Sequence, residues 1–461
     1  MTIPLATPRH PKGAFLRVLG VGFGIAVSLG SCIGSGIMRT PSEIAARLPS
    51  ISLIMCAWVV GALYSLAGAW SLSEVGAMIP SAGAYYAVAR RAFGNYVSFV
   101  VGWTDTVSLC GGMATIAILA GEYLGNLVPR FANHSVSLAM GVVLSLALLQ
   151  VRGIRWGSRF QDVTTAITAF VFFSLIIGAF LFPHYISRPA LAGSPMPRGM
   201  ALVSAWILVL QAVIATYDGW YAALYFGDEF INPGVELPRS MINGVLLVSG
   251  LFILINAALL YALDLPSLSH DNLPIAAVGQ AILGPKGAVI VRWFMFGTLI
   301  SIANATLLCA PRILCAMSRD GWGSVRIAYI NTGGTPTVSL VLCVFVVLGL
   351  LLTESFDRVL AITAFCYVSK YLFSYLAVFV LRYREPTTPR PYRAFGYPLT
   401  TGAAVLVSFA FLLGAIVADT RNSLYGALLL LASYPIYRLA RKKTSKIQRL
   451  DQAVATSAEI E

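Results

Sequence analysis

Two short breaks of unusual composition interrupt the apolar runs of this chain. The first, Cys32-Ile33-Gly34-Ser35-Gly36, lies within the run 15–48, and the second, Tyr217-Asp218-Gly219-Trp220, lies within 202–231. Glycine in a helix interior costs roughly 1 kcal/mol relative to alanine. In lipid, backbone that leaves a helix is tolerated only where it is buried in protein or lines a cavity. The pair of breaks therefore predicts a binding site.

The first break has the polarity that an α-amino acid requires. A half-helix beginning near Ile37 leaves the amides of Ser35 and Gly36 unpaired at the positive end of its dipole, which suits a carboxylate. The half-helix before it ends near Cys32 with free carbonyls, which suit an ammonium group or a metal cation. All five residues of the break are predicted to bind substrate. A close contact between helices rich in small residues is the alternative interpretation.

The second break is expected to add carbonyl groups near Ala215 and Asp218 to the ammonium end of the site. A carboxylate at the centre of a membrane helix costs about 2.5–3.5 kcal/mol, so Asp218 is expected to be functional. It would bind an ammonium group, take part in proton coupling, or cap the helix that restarts at Gly219. Tyr217 and Trp220 are candidates either for gating the cavity or for packing.

Lys370 lies midway along its apolar segment, far from either end. A lysine at that depth does not easily reach a membrane surface, so pairing with an acidic residue is favoured over snorkelling. The candidate partners are Asp105 and Asp218.

The composition indicates which elements must position these residues. The chain has 461 residues, of which 58% are hydrophobic and 11% are charged, and its mean hydropathy is +0.79. A soluble protein has about 25% charged residues, so the predicted fold class is an all-α polytopic membrane protein. A spanning helix needs about 20 apolar residues. The twelve predicted segments are roughly 15–48, 51–79, 93–125, 134–151, 160–183, 202–231, 238–262, 287–318, 336–353, 358–381, 397–418 and 423–440.

The order of the segments predicts an inverted repeat. Each break lies in the first helix of a block of five segments, and an odd number inserts the second block upside down relative to the first. The repeats are then 15–183 and 202–381, followed by two extra helices at 397–440. Most of the 32 Lys and Arg residues lie in regions that are inner if the N-terminus is inside, so both termini are expected in the cytoplasm.

Several other classes of protein are disfavoured. The net charge of +13 is explained by the inner loops, so no nucleic acid partner is expected. The seven cysteines and four histidines form no metal-binding or disulfide pattern. The chain carries neither a nucleophile–base pair nor a phosphate-binding loop. We therefore expect no cofactor, no metal site, no enzyme activity and no ATP drive. A channel would require rings of carbonyls or charges, and these are not visible.

Five motifs carry a resemblance to a known family. They are Gly34-Ser35-Gly36-Ile37-Met38, Pro80-Ser81-Ala82-Gly83-Ala84-Tyr85, Trp103-Thr104, Tyr217-Asp218-Gly219-Trp220 followed by Asp228-Glu229, Asn232-Pro233 and Leu237-Pro238-Arg239, and Asn304 with Ser318-Arg319-Asp320-Gly321. Together they resemble the amino acid–polyamine–organocation (APC) superfamily, most closely its L-type amino acid transporter branch and bacterial relatives. The resemblance implies a permease domain at 1–441 with five-plus-five inverted repeats and two extra helices, and leaves 442–461 as a cytoplasmic tail.

The resemblance also implies roles for site residues and shows two departures. Ser35 and Gly36 would hold the substrate carboxylate, and the carbonyls of Cys32, Ala215 and Asp218 would hold its ammonium. Many relatives carry a bulky aromatic residue where this chain has Ala215. Many also carry a lysine in helix 5, in place of a sodium ion, where this chain has Thr168.

The second departure leaves the coupling mechanism open. Either a sodium ion binds oxygens such as those of Thr168 and Ser301, with Asn304 nearby, or Lys370 supplies the cation from another helix. The expected function is a secondary active amino acid transporter in the cell membrane, working by alternating access as an H⁺- or Na⁺-coupled symporter or as an exchanger. The alternatives are a polyamine or organic cation transporter and a membrane amino acid sensor. The expected partners are the substrate, the coupling ion and the lipid bilayer.

Overall fold

The computed structural model describes residues 14–131, 133–181, 195–271, 273–352, 356–418, 420–421 and 424–440, and these ranges are almost entirely helical. The predicted tail at 442–461 lies outside the described residues. The helices are α1 (Val21–Cys32), α2 (Ser35–Arg47), α3 (Ile51–Met78), α4 (Tyr85–Phe93), α5 (Asn95–Leu127), α6 (Ser135–Val151), α7 (Ile154–Leu181), α8 (Met200–Tyr217), α9 (Pro233–Ala262), α10 (Leu265–His270), α11 (Pro274–Leu283), α12 (Pro285–Arg319), α13 (Thr337–Leu351), α14 (Phe356–Arg384), α15 (Leu399–Ala418) and α16 (Leu424–Ala440).

Several of the described helices have the length and composition of membrane spans. Six are long and apolar enough to cross a membrane, namely α3, α5, α7, α9, α12 and the span Met200–Phe226 that includes α8. The bent pair α1 and α2 makes a seventh. Helices α6, α13, α15 and α16 are apolar but shorter. The chain is therefore a multi-pass membrane protein, while the count of twelve spans and the inverted repeat stay predictions.

Both breaks predicted from the sequence interrupt helices, but the first has a different boundary from the one expected. Helix α1 ends at Cys32 and α2 begins at Ser35, two residues before the expected start near Ile37. The reason is local: Gly34 is extended, with φ −136° and ψ −156°, so the chain turns within one residue and the next helix starts at once. The two half-helices meet at an angle of 47°.

The second break follows the end of α8 at Tyr217. Asp218 has extended geometry (φ −57°, ψ 141°), and Gly219 has φ +114°, a conformation that side chains with a Cβ rarely adopt. The chain then continues as a short 3₁₀ helix, Ala222–Phe226. A polar turn at this depth is tolerated because it is packed inside the protein.

Helices from the first part of the chain pack against helices from the second part. Helix α1 contacts α7, α9 and α12, while α3 contacts α8 and α9, and α5 contacts α12 and α14. One aromatic cluster shows the interleaving: Trp58 on α3, Tyr217 on α8 and Phe252 on α9 have ring centroids 5.0–6.0 Å apart. This packing brings the two broken helices together in the interior.

Candidate functional site

The two breaks touch each other directly. The Cys32 thiol at the end of α1 donates a hydrogen bond to the carbonyl oxygen of Tyr217 at the end of α8, at 3.2 Å. One helix turn away, the hydroxyls of Thr40 and Thr216 are 2.8 Å apart. A Cβ on Gly36 would lie 3.0 Å from Thr216 Oγ1. Small residues in the first break therefore let the second break approach its backbone.

Opposite polarities face this junction. Because α2 starts at Ser35, the amides of Ser35, Gly36 and Ile37 occupy its first turn, where amides have no partner within the helix. That end of the helix carries about half a positive charge. Helix α1 ends with the amide of Ile33 bonded to the carbonyl of Leu29, at 2.9 Å, so the last carbonyls of α1 lie at its negative end.

A small cavity lies beside the junction. Its volume is about 90 Å³, which corresponds to roughly three water molecules. Of the predicted site residues, Asp218 and Gly219 line it, together with Ser31 next to Cys32. The other lining residues are Leu109, Ile116, Tyr221, Ala222, Ile302, Thr306, Cys309 and Tyr367.

The remaining predicted site residues surround the cavity rather than line it. Tyr217 is buried between Trp58 and Phe252, and its hydroxyl donates to the Trp58 carbonyl at 3.2 Å. Trp220 packs edge-on against Tyr221, with ring centroids 5.9 Å apart. Both aromatics are thus packed against other rings, and a gating role stays a prediction. The Ala215 carbonyl accepts the amide of Asp218 at 3.3 Å.

Lys370 pairs with Asp105, one of the two partners expected from the sequence. The Lys370 ammonium donates to Asp105 Oδ1 at 2.7 Å, and both side chains are fully buried. The Tyr225 hydroxyl donates to both Asp105 oxygens at 2.8 Å, and Lys370 Nζ lies 3.2 Å from the Tyr225 hydroxyl. The Asp105 carboxylate is therefore satisfied by one cation and one phenol.

Aromatic rings enclose the Lys370 ammonium. Tyr367 and Tyr221 are nearest, with ring centroids 4.4 and 4.5 Å from Nζ, followed by Tyr85 at 4.9 Å. Rings at these distances attract a cation electrostatically. This cage was not predicted, although the sequence carries a signal for it: Tyr367, Tyr371 and Tyr375 are spaced by four residues and so share one face of α14.

Asp218 lies in the same cluster but has different partners. Its carboxylate accepts a hydrogen bond from the Tyr371 hydroxyl and a longer one, at 3.4 Å, from Tyr221. Within the described part of the chain, only the Asp105 carboxylate lies within ion-pair distance of Lys370. Asp218 is thus bound by phenols and exposed to the cavity.

A second polar cluster joins α7 and α12 next to α1. The Ser301 hydroxyl bonds to Gln161 and Thr164, each at 3.0 Å, and the Thr165 hydroxyl donates to the Ala26 carbonyl of α1. Asn304 donates to Gln161 Oε1 at 2.9 Å. Of the predicted coupling residues, Ser301 and Asn304 are therefore in one network.

Thr168 is buried on the same α7 face as Gln161 and Thr165, but its hydroxyl is in none of the hydrogen bonds that hold Ser301. The network instead uses Thr164, four residues earlier.

Four cavities follow one another along α12. At one end Arg292 lines a vestibule of about 530 Å³, here called the Arg292 vestibule, and Met295 and Leu299 line a narrow void next to it. Ile302 lines the central cavity. At the other end Arg319 lines a vestibule of about 480 Å³ that also contains Asp320, here called the Asp320 vestibule. At about 1.5 Å per residue, this row spans about 40 Å, enough to cross a membrane.

A buried ion pair lies along α12 between the residues that line the central cavity and those that line the Asp320 vestibule. Glu229 and Arg312 are buried and joined by two hydrogen bonds of 2.5 and 3.1 Å, and the Arg312 guanidinium lies 4.3 Å from the centre of the Phe226 ring. Asp320 is bound by Arg90 and by the Tyr86 hydroxyl. Glu229 and Asp320 occur in motifs recognised in the sequence, but their partners were not predicted, because Arg312, Arg90 and Tyr86 lie in distant segments.

Comparisons with known proteins identify the family of this chain and several relatives. The sequence model of the family described as "Amino acid permease" matches residues 24–434. The chain is similar to the serine/threonine exchanger SteT of Bacillus subtilis (strain 168), with 26% identity over 442 residues that cover 93% of this chain and 97% of that protein.

Two animal proteins are also similar over most of their length. The b(0,+)-type amino acid transporter 1 of Mus musculus is 24% identical over 460 residues, covering 95% of this chain and 93% of that protein. The Asc-type amino acid transporter 1 of Homo sapiens is 26% identical over 474 residues, covering 98% of this chain and 88% of that protein.

Proposed function

Because this chain belongs to the amino acid permease family, we propose that it carries a small neutral α-amino acid across the cell membrane by alternating access. It is a transporter and not an enzyme. The observation that best supports the proposal is that two broken helices meet beside a small cavity and that the first break presents helix ends of opposite polarity. Broken helices that meet inside the membrane are the usual site in secondary transporters.

In this proposal the substrate lies across the first break. Its carboxylate accepts hydrogen bonds from the amides of Ser35 and Gly36, where the α2 dipole favours an anion. Its ammonium faces the last carbonyls of α1, including that of Cys32, and the carbonyls of Ala215 and Asp218. Ile33, Gly34 and Gly219 supply the backbone that lets the substrate approach closely.

The size of the cavity supports a small substrate. At about 90 Å³ it is well below the roughly 300–1,000 Å³ of common ligand pockets. Apolar side chains, among them Leu109, Ile116 and Ile302, face the space where a substrate side chain would lie. A relative named as a serine/threonine exchanger is consistent with this size class.

The membrane arrangement is part of the same proposal. The Asp320 vestibule faces the cytoplasm, both termini are cytoplasmic, and residues 15–183 and 202–381 form inverted repeats in a permease domain at 1–441. The excess of Lys and Arg in the inner regions supports this orientation. The closed Glu229–Arg312 pair and the narrow void beside Met295 are consistent with an occluded carrier.

Two coupling routes are compatible with the contacts. A sodium ion would use oxygens of the α7–α12 network around Ser301, with Thr168 one turn away. An exchanger, or a carrier coupled to protons, would use the charged cluster around Lys370. Uptake in sodium-free buffer separates the two routes.

The test is uptake of labelled serine, alanine, leucine and arginine into proteoliposomes, with and without internal amino acid. Saturable uptake of the small neutral amino acids supports the proposal. If the folded protein takes up none of the four, the proposal fails and a polyamine carrier or a sensor gains support.

Two variants at Ser35 test the carboxylate end. Proline is accepted at the first position of a helix, so Ser35→Pro removes one amide donor while leaving α2 intact, and Ser35→Ala removes only the hydroxyl. Because hydrogen bonds to charged groups contribute about 1.5–3 kcal/mol, Ser35→Pro should raise KM by about 10- to 100-fold. Equal KM values for Ser35→Pro and Ser35→Ala would contradict the role of the amide.

A further inference from the structure

The buried cluster beside the cavity contains more negative than positive charge. Asp105 and Asp218 each contribute a carboxylate. Among the described residues, Lys370 is the one cation close to them. Asp105 holds Lys370 at 2.7 Å, whereas the hydrogen bonds to the Asp218 carboxylate from described residues come from the hydroxyls of Tyr371 and Tyr221, and Lys370 acts on Asp218 from beyond ion-pair distance. A buried carboxylate without its own cation is costly, so the cluster requires one more positive charge.

The position of Asp218 identifies where that charge enters. Asp218 lines the cavity, while Asp105 and Lys370 do not. Tyr221 and Tyr367 also line the cavity and stand over the ammonium of Lys370. The internal cation is therefore shielded behind rings, and only the Asp218 carboxylate faces the space where a substrate ammonium or a proton arrives.

We propose that the Asp218 carboxylate couples transport to protons by binding either the substrate ammonium or a proton, but not both. This inference rests on the proposed function. When substrate is bound, the protein changes between its outward-facing and inward-facing states with Asp218 ionised and paired with the substrate ammonium. The substrate carboxylate is then held by the positive end of α2. The empty carrier crosses only after Asp218 takes up a proton. One cycle of net uptake thus moves one amino acid inward and one proton outward.

Under this scheme the exchange of amino acids needs no protons. When substrate is present on both sides, the carrier crosses loaded in both directions and needs no proton. When one side lacks substrate, the return step depends on protonation of Asp218. Exchange and net uptake are therefore expected to differ in their dependence on pH.

Other groups around Asp218 do not titrate in the working pH range. From α14 these are Tyr367, Tyr371 and Tyr375. From the remaining elements they are Cys32 of α1, Tyr64 of α3, Tyr85 of α4 and Tyr221. An ordinary phenol ionises near pH 10 and an ordinary thiol near pH 8.5, so between about pH 5 and 7.5 the carboxyl groups are the ones that exchange protons.

The experiment measures labelled serine entering proteoliposomes under two conditions, with internal serine (exchange) and without it (net uptake). Internal pH is set at 7.5 or 5.5 and external pH is kept at 7.5. Net uptake by the wild type should rise at least about tenfold at the acid internal pH, because each pH unit changes the protonated fraction of a carboxyl about tenfold. Exchange should change much less.

Asp218→Asn is neutral without a proton, so its net uptake should lose its dependence on internal pH and approach its own rate of exchange. Asp264→Asn is the matched control, because Asp264 caps α10 far from the cluster and asparagine caps equally well. It should behave as the wild type does. Wild-type net uptake that ignores internal pH, or Asp218→Asn with wild-type pH dependence, would overturn the proposal.

Asp105→Asn keeps the test decisive if Asp218→Asn does not fold. This variant frees Lys370 to neutralise Asp218, so net uptake should again lose its need for acid, and retention of the wild-type pH dependence would overturn the proposal.

Calorimetry of serine binding in two buffers of different ionisation enthalpy provides a separate readout in the wild type. Binding at about pH 5.5 should release protons, so the measured heat should depend on the buffer, and no release would contradict the scheme. Absence of both exchange and net uptake of serine in the wild type would instead refute the proposed function.

Discussion

Gly219 lies directly against the carbonyl group of Ser31. A Cβ at position 219 would lie 2.7 Å from both the carbonyl carbon and the carbonyl oxygen of Ser31, closer than real contacts of this kind. The same glycine has φ +114°. The contact joins the end of α1 to the turn after α8, so the geometry of the site depends on one missing side chain.

Gly219→Ala should therefore impair transport more than folding. The positive φ and the contact with Ser31 together impose strain of about 1–3 kcal/mol, and the two breaks must separate to relieve it. We expect the initial rate of serine exchange to fall by about tenfold or more. Gly22→Ala in α1 is the matched control, because a Cβ there meets nothing within 4 Å. A normal rate in Gly219→Ala would contradict the close approach of the breaks.

Lys370→Met should destabilise the protein, because it leaves the buried Asp105 carboxylate without its cation. Removing one partner of a buried pair costs about 3–5 kcal/mol. The melting temperature in detergent should fall, and the double variant Asp105→Asn/Lys370→Met should recover much of the loss. Additive losses in the double variant would show that Lys370 and Asp105 do not stabilise each other.

Glu229→Gln should open the route from the Asp320 vestibule to the cavity. It removes the charge that holds Arg312, and Arg312 lies one helix turn from Cys309, which lines the cavity. A loss of about 1.4 kcal/mol from the closed state raises the open population about tenfold. The rate at which a maleimide labels Cys309, followed by peptide mass spectrometry, should rise accordingly. Glu43→Gln, in an exposed pair with Arg47, should leave that rate unchanged.

Ile302→Ala should widen substrate choice. Ile302 lines the small cavity and occupies the space that a Cβ on Gly34 would need. Shortening it should admit larger neutral substrates, so uptake of leucine relative to serine should rise by about tenfold, the effect of roughly one or two methylene groups in an apolar pocket. Ile290→Ala, at an exposed position of the same helix, is the control. An unchanged ratio would place the substrate side chain elsewhere.

Some features of the site follow from local sequence. Gly34 and Gly219 interrupt helices because glycine tolerates the extended and positive-φ geometries that end them, and the effect acts over one or two residues. The polarity of each half-helix end also follows directly, because free amides and carbonyls at helix ends are a property of every helix. The start of α2 was misplaced by two residues, since the sequence does not indicate how sharply Gly34 turns the chain.

Other features depend on contacts between distant segments. That Lys370 needs an acidic partner follows from its depth in an apolar run, but the choice of Asp105 over Asp218 required α5 and α14 to pack together. The packing of Tyr217 against Trp58, and the place of Thr164 rather than Thr168 beside Ser301, depend likewise on how helices rotate against one another.

The sequence by itself determined that this is a helical membrane protein with two broken helices, because hydropathy and backbone preference are local properties. Only the tertiary structure decided that the breaks meet, that the cavity beside them is small, and that no cation among the described residues lies within ion-pair distance of Asp218. Those outcomes depend on distances between side chains far apart in the chain, and such distances are set by the packing of the whole bundle rather than by any segment alone.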